Sequence, residues 1–104
     1  NVSLAYDGIS EGAYTLVLSH CPDVFDDLRA NSTDYVLAGH SHGGQVYIPI
    51  FNRFYRPYGC IKYFTGKHRS GNAILDISSG VGLTNKSIRL FADAEVVFYK
   101  LKTK

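Results

Sequence analysis

Apolar and polar positions along the chain change period several times, and each change predicts an element. Residues 14–18 (Tyr-Thr-Leu-Val-Leu) are β-branched or apolar on both faces, which predicts a buried, central strand. Val24, Phe25 and Leu28 then fall on one face at helical spacing. Pro22 stands just before them, where its fixed φ and missing N–H suit a first helical position. Asp23, Asp26 and Asp27 add negative charge to the opening turns, as a helix dipole favours. The pattern predicts a short helix over 22–30, ended by Asn31-Ser32-Thr33. Residues 34–38 (Asp-Tyr-Val-Leu-Ala) form a second buried strand running into Gly39-His40-Ser41-His42-Gly43-Gly44.

Val46-Tyr47-Ile48 reads as a strand ended by Pro49, followed by an irregular aromatic and basic segment through Gly66. Strands are predicted over 73–78 and 95–101, with Gly80-Val81-Gly82 as a loop and Ser87–Phe91 as a further short strand. The first dozen residues read as a short helix or turn leading into a loop. The order strand, short helix, strand is a βαβ-type unit, so the fold class is α/β. In such folds, active sites gather in loops at the carboxyl ends of strands.

Composition narrows the class without naming a function. The chain has 104 residues, is 45% hydrophobic and 13% aromatic, and has no internal repeat, as befits an ordinary folded domain. No apolar run approaches the roughly 20 residues that a membrane-spanning helix needs, and nothing near Asn1 reads as a signal peptide. Methionine is absent, so Asn1 is not expected to be a translation start. The length admits one small domain or half of a larger one. Cys21 and Cys60 are too few for a disulfide scaffold and are expected to be free thiols in a reducing compartment.

Charge is divided unevenly. Residues 1–52 hold six acids and one base, whereas residues 53–104 hold three acids and ten bases. Arg53, Arg56, Lys62, Lys67 and Arg69 fall in a stretch between Asp34 and Asp76 with no acid at all. Such a field suits an anionic partner, but on charge alone a solvated basic face with no partner is the simpler reading.

Three of the four histidines follow predicted strands: His20 after 14–18, and His40 and His42 after 34–38. If those strands are parallel neighbours, the imidazoles emerge at one edge of the sheet. Neutral imidazole is a common ligand for zinc and its first-row relatives. Glycines flanking His40 and His42 let backbone approach an ion or a phosphate. Gly39-His40-Ser41-His42-Gly43 also fits the G-x-S-x-G nucleophile elbow. That motif must lead into a helix, and Gln45-Val46-Tyr47-Ile48-Pro49 is poor helix material. The only downstream histidine is His68, with no acid between it and Ser41, so the serine-hydrolase reading fails.

Leu18-Ser19-His20-Cys21-Pro22-Asp23 together with Gly39-His40-Ser41-His42-Gly43-Gly44-Gln45 resembles the C-terminal half of a calcineurin-like metallophosphoesterase. The likeness is to the bacterial branch with a G-H-T-H-G-G-Q type motif. Ser79-Gly80-Val81-Gly82 and Ser87-Ile88-Arg89 also fit that branch. The resemblance implies a four-layer αββα fold, two β-sheets flanked by helices, with this chain as the C-terminal portion of one domain whose N-terminal half lies upstream. It implies hydrolysis of a phosphodiester or phosphomonoester by hydroxide at two divalent metal ions (manganese, iron or zinc). His20 and His40 would ligate one metal and His42 the other. The family's D-x-H, G-D-x-x-D and G-N-H motifs do not occur in this chain, so it is expected to be inactive alone.

Seven of the fourteen aromatics (Tyr47, Phe51, Phe54, Tyr55, Tyr58, Tyr63 and Phe64) crowd residues 47–64, interleaved with Arg53, Arg56 and Lys62. One reading is a substrate lid. Arg53 and Arg56 hold phosphate oxygens beside the backbone of Gly43 and Gly44, and the aromatics meet an acyl chain or a membrane surface. The other is a long hairpin or loop whose aromatics complete the core. The resemblance favours a phosphorylated small-molecule or lipid substrate and a cytoplasmic or membrane-associated bacterial protein, with no specific nucleic acid. His68 is expected in an exposed loop. Cys21 is expected to pack away from His20, because neighbours on an extended chain point to opposite sides. Two alternatives remain. One is a non-catalytic lipid- or nucleic-acid-binding module with structural histidines. The other is a mononuclear zinc hydrolase using His20, His40 and His42.

Overall fold

A computed structural model describes residues 1–46, 56–84 and 87–103. A one-turn helix, α1 (Val2–Ala5), precedes strand β1 (Leu16–Ser19). A 3-10 turn over Pro22–Val24 continues into helix α2 (Phe25–Leu28), so the expected 22–30 helix is present but shorter and split. Strand β2 (Tyr35–Ala38) leads into a second 3-10 turn, His42–Gly44. Strands β3 (Gly66–Ser70) and β4 (Ala73–Ile77) close the sheet as a hairpin around Gly71-Asn72.

The sheet order is β1-β2-β4-β3. β1, β2 and β4 run parallel, and β3 is antiparallel to β4. One face alternates into the core. Val36 and Ala38 of β2 and Ala73, Leu75 and Ile77 of β4 bury against Phe25 and Leu28 of α2, with Tyr63 closing the cluster edge-on to Phe25 at 5.4 Å. Helix α2 lacks a side-chain N-cap, but its carboxyl end is well satisfied. Asn31 Nδ2 donates to the Asp27 carbonyl at 2.8 Å and Thr33 Oγ1 donates to the Leu28 carbonyl at 2.7 Å.

The opposite face is only partly covered. The Tyr35 hydroxyl donates to Asp76 Oδ2 at 3.0 Å, and Lys67 Nζ lies 3.2 Å from the same oxygen. The Tyr99 ring meets Tyr35 edge-on at 6.1 Å. Burial raises the Tyr35 hydroxyl above its ordinary value and pushes Tyr99 up to about 12.

Three sequence expectations are corrected. β1 is not central and buried: it forms an edge of the sheet, with Leu16 39% and Leu18 77% exposed. Among the described residues no strand pairs with its outer side, so only Val17 reaches the core. Residues 95–101 form no strand, because none of the described residues offers them a ladder partner. His68 lies in β3 rather than a loop, half-buried, its Nε2 2.9 Å from the Thr65 carbonyl. The 46–48 strand falls mostly outside the described residues. Val46 makes an isolated parallel bridge to Leu90, all that forms of the 87–91 strand. No helix among the described residues is long and apolar enough to cross a membrane.

Candidate metal centre

The register of β1 on β2 sets the site. Ser19 lies beside Ala38, so the chain leaves both strands at one edge, and His20 and His40 follow there. Their ring centroids are 4.1 Å apart with planes tilted by 39°. Cys21 joins them: the donor atoms of His20, Cys21 and His40 all lie within 4.8 Å of one another. The expectation that Cys21 packs away from its neighbour therefore fails. The backbone bends at His20, and the Ser19 hydroxyl donates to the Cys21 carbonyl at 2.8 Å across that bend. The chain is no longer a straight strand, and the opposite-sides rule lapses.

The loop after β2 is unusual in its backbone. His40, His42 and Gln45, none of them glycine, take φ values of 66°, 50° and 51°. Each such residue costs on the order of 1–2 kcal/mol, so the surrounding structure must hold the loop in place. Two side chains do so. The Gln45 carbonyl oxygen accepts from the Thr84 N–H at 2.8 Å and its hydroxyl at 2.6 Å. Arg89 spreads its guanidinium over a ring of carbonyls. Nη1 donates to Ala92 (3.0 Å), Asp93 (3.2 Å) and His42 (3.4 Å), and Nη2 to Ser79, Gly80 and Gly82 (2.9, 2.9 and 2.7 Å). Nothing in the local pattern around Ser87-Ile88-Arg89 marks that positioning role.

His42 stands apart from the His20–Cys21–His40 group. Its ring lies against Gly82, where a Cβ would come within 3.2 Å of Cε1. With His40, Gly44, Gln45 and Thr84 it lines a small cleft of about 50 Å³. The structure thus does not gather His20, His40 and His42 into a single three-histidine donor set. Ser41 is buried, accepts from the Gly43 N–H at 3.4 Å, and opens a three-residue 3-10 turn rather than a supporting helix.

The glycines are close-packed. A Cβ on Gly43 would meet Ser79 at 3.1 Å, and one on Gly44 would meet the Phe64 ring at 2.9 Å. Gly43 also borders a larger cleft of about 710 Å³, lined by Arg56, Phe64, Lys67, His68 and Phe91 among others. Arg56 stacks over Phe64 at 5.0 Å, and its Nε is buried without a partner among the described residues. Arg53 lies outside the described residues, as do Tyr47, Phe51, Phe54 and Tyr55. Of the aromatics that are described, Tyr63 serves the core, Phe64 backs Gly44 and Arg56, and Tyr58 is exposed.

Two acids that read as helix-dipole partners also fasten this segment. The Asp23 carboxylate accepts the backbone N–H groups of Ile61 (2.7 Å), Lys62 (3.0 Å) and Tyr63 (2.9 Å). Asp26 accepts from Lys62, Arg29 and the Tyr63 hydroxyl. The Lys62 hydrogen bond foremost holds the Asp26 carboxyl below the ordinary carboxylate range.

As a donor set, two imidazoles and a thiol suit a divalent transition metal. Among the described residues no carboxylate joins them.

Comparison with known proteins agrees in class. No protein-family model and no solved structure matches the chain. Curated relatives do. The uncharacterized metallophosphoesterase YkoQ of Bacillus subtilis is 32% identical over 97% of this chain and 38% of its own length. The uncharacterized metallophosphoesterase YkuE, also of Bacillus subtilis, is 30% identical over 91% of the chain and 33% of its length. The phosphodiesterase YaeI of Escherichia coli is 33% identical over 83% of the chain and 32% of its length. Over most of its own length the chain is thus similar to bacterial metallophosphoesterases. It spans about a third of the length of these relatives.

Proposed function

We propose that this chain is the C-terminal portion of a single metallophosphoesterase domain with two sheets in an αββα arrangement, and that the whole protein hydrolyses a phosphoester. The observation that carries this reading is the juxtaposition of His20 and His40 at the ends of parallel strands, rings 4.1 Å apart. The bare Leu16 and Leu18 face of β1 supports a second layer supplied by further chain, as does the greater length of the relatives.

In this reading His20 and His40 hold one divalent cation and His42, across the Gly82 contact, holds a second. When bound, such cations supply Lewis-acid stabilisation of charge developing at phosphorus. The chain's own residues orient and position. Gln45 and Arg89 fix the His40–His42 loop, and Arg56, which lines the cleft beside Gly43, binds a phosphate oxygen. Arg53, Gly43 and Gly44 complete the substrate contacts. The substrate is a phosphorylated small molecule or lipid, and residues 47–64 meet its apolar part or a membrane surface.

The test is turnover of a chromogenic phosphodiester by the full-length protein with added manganese or, in parallel, zinc. His20→Ala and His42→Ala are each expected to lower kcat by roughly 100-fold or more, beyond the range that outer-shell changes cost, and the 104-residue chain alone to show no turnover. Robust hydrolysis by the chain alone, or by the histidine variants, would overturn the reading. Co-sedimentation with anionic vesicles, reduced by Phe54→Ala and Arg56→Ala, checks the lipid component.

A further inference from the structure

We propose that Cys21 is a metal ligand. With His20 and His40 it forms a donor set of two nitrogens and one sulfur, selective for a thiophilic divalent cation, zinc or cobalt rather than manganese. The inference rests on reading His20 and His40 as ligands, and adds to it a third donor and a metal preference.

The geometry is close to what one ion needs. Zinc sits about 2.0–2.1 Å from imidazole nitrogen and about 2.3 Å from sulfur, so ligand atoms on one tetrahedral ion lie roughly 3.5 Å apart. The donors of His20, Cys21 and His40 are already within 4.8 Å of one another.

The thiol is held in that place and little used otherwise. Cys21 is extended, with φ −99° and ψ 128°, and its carbonyl is tied to the Ser19 hydroxyl. On its other side it abuts Gly59, where any Cβ would come within 2.7 Å of both Cβ and Sγ of Cys21. Gly59 is fastened in turn by the Asp23 N–H, which donates to its carbonyl at 3.0 Å. Among the described residues the thiol makes one hydrogen bond, to the Tyr58 carbonyl at 3.9 Å, near the outer limit for sulfur, and as its donor it leaves the sulfur lone pairs unused there.

The chemistry sets the selectivity. Thiolate is a soft ligand that favours zinc and similar cations, whereas manganese and magnesium favour carboxylate and carbonyl oxygen. Ligation displaces the thiol proton to solvent. Cys60, the second cysteine, is fully buried and outside the donor group, which makes it the internal control.

The experiment is cobalt(II) titration of the metal-free full-length protein, read by the near-ultraviolet thiolate-to-cobalt charge-transfer band. The band is expected in the unsubstituted protein and in Cys60→Ser, and absent in Cys21→Ser. Zinc affinity of Cys21→Ser should fall at least as much as the roughly 10–100-fold that outer-shell changes cost. Zinc X-ray absorption on the unsubstituted protein needs no variant and should show a sulfur scatterer at about 2.3 Å. Cobalt bound without the band, or zinc with only nitrogen and oxygen neighbours, overturns the assignment of Cys21 while the histidine reading stands. A band that survives Cys21→Ser overturns it too. A protein that binds no cobalt overturns both.

Discussion

Gly59 combines two constraints in one position. Its φ of +81° is a conformation that side-chain-bearing residues rarely adopt, and the space where a Cβ would go is filled by Cys21. Gly59→Ala is expected to destabilise the protein by roughly 2–3 kcal/mol, from left-handed strain plus displacement of Cys21. Urea unfolding measures it, and the same variant should weaken any signal that depends on the Cys21 thiol. Cys60 gives a pH signature. Burial pushes its thiol from 9.0 up to about 11, so the unfolded chain ionises first and stability falls as pH rises from about 9 to 11. The raised hydroxyls of Tyr35 and Tyr99 act in the same sense at slightly higher pH. Cys60→Ala should flatten the lower part of that decline in denaturant titrations between about pH 8 and 11. At this scale the meeting of His20 and His40 at one sheet edge was legible, because strand-end position is a local feature, whereas the separate place of His42 was not. Cys21 was misjudged, because the bend at His20 depends on a hydroxyl bond that no spacing rule encodes.

Among the elements, Asp23 links the turn before α2 to the segment that enters β3. Removing its carboxylate strands three backbone N–H groups that water can partly reach. Asp23→Ala is expected to cost about 1–3 kcal/mol. Hydrogen exchange should locate the loss: the amides of residues 61–63 lose protection while those of β2 and β4 keep theirs. β2 and β4 were readable from the sequence, since β-rich apolar runs flanked by turn residues mark them. β3 (Gly-Lys-His-Arg-Ser) was not, because it is polar and lies at an edge. The signal that could have found it is the two-residue Gly71-Asn72 link, a hairpin dipeptide in front of the Ala73–Ile77 run. β1 misled in the other direction. Its two-faced apolar pattern belongs to a strand covered on both sides, and the described residues cover one.

Over the whole molecule, the division of charge acquires an internal partner. Asp23 and Asp26, from the acidic half, grip Ile61, Lys62 and Tyr63 from the basic half, and Asp76 holds Lys67. Part of the basic field is therefore neutralised within the fold, while Arg56 borders the large cleft and its buried Nε has no partner among the described residues. Because Asp26 is held below the ordinary carboxylate range, its contribution is present above that range and lost as pH falls through the lowered value. Acid unfolding followed by circular dichroism should show that decline below about pH 4, and Asp26→Asn should remove part of it.

β1 has one further consequence, and it concerns handling of the isolated chain. A short strand whose outer side has no strand partner among the described residues, with Leu18 exposed beside it, is a template for another strand. Two copies can add edge to edge, extending the sheet across molecules. The chain alone is expected to self-associate in a concentration-dependent way, seen as a shift to larger species in size-exclusion chromatography with light scattering. Leu18→Lys places a charge on that edge and should return the monomer.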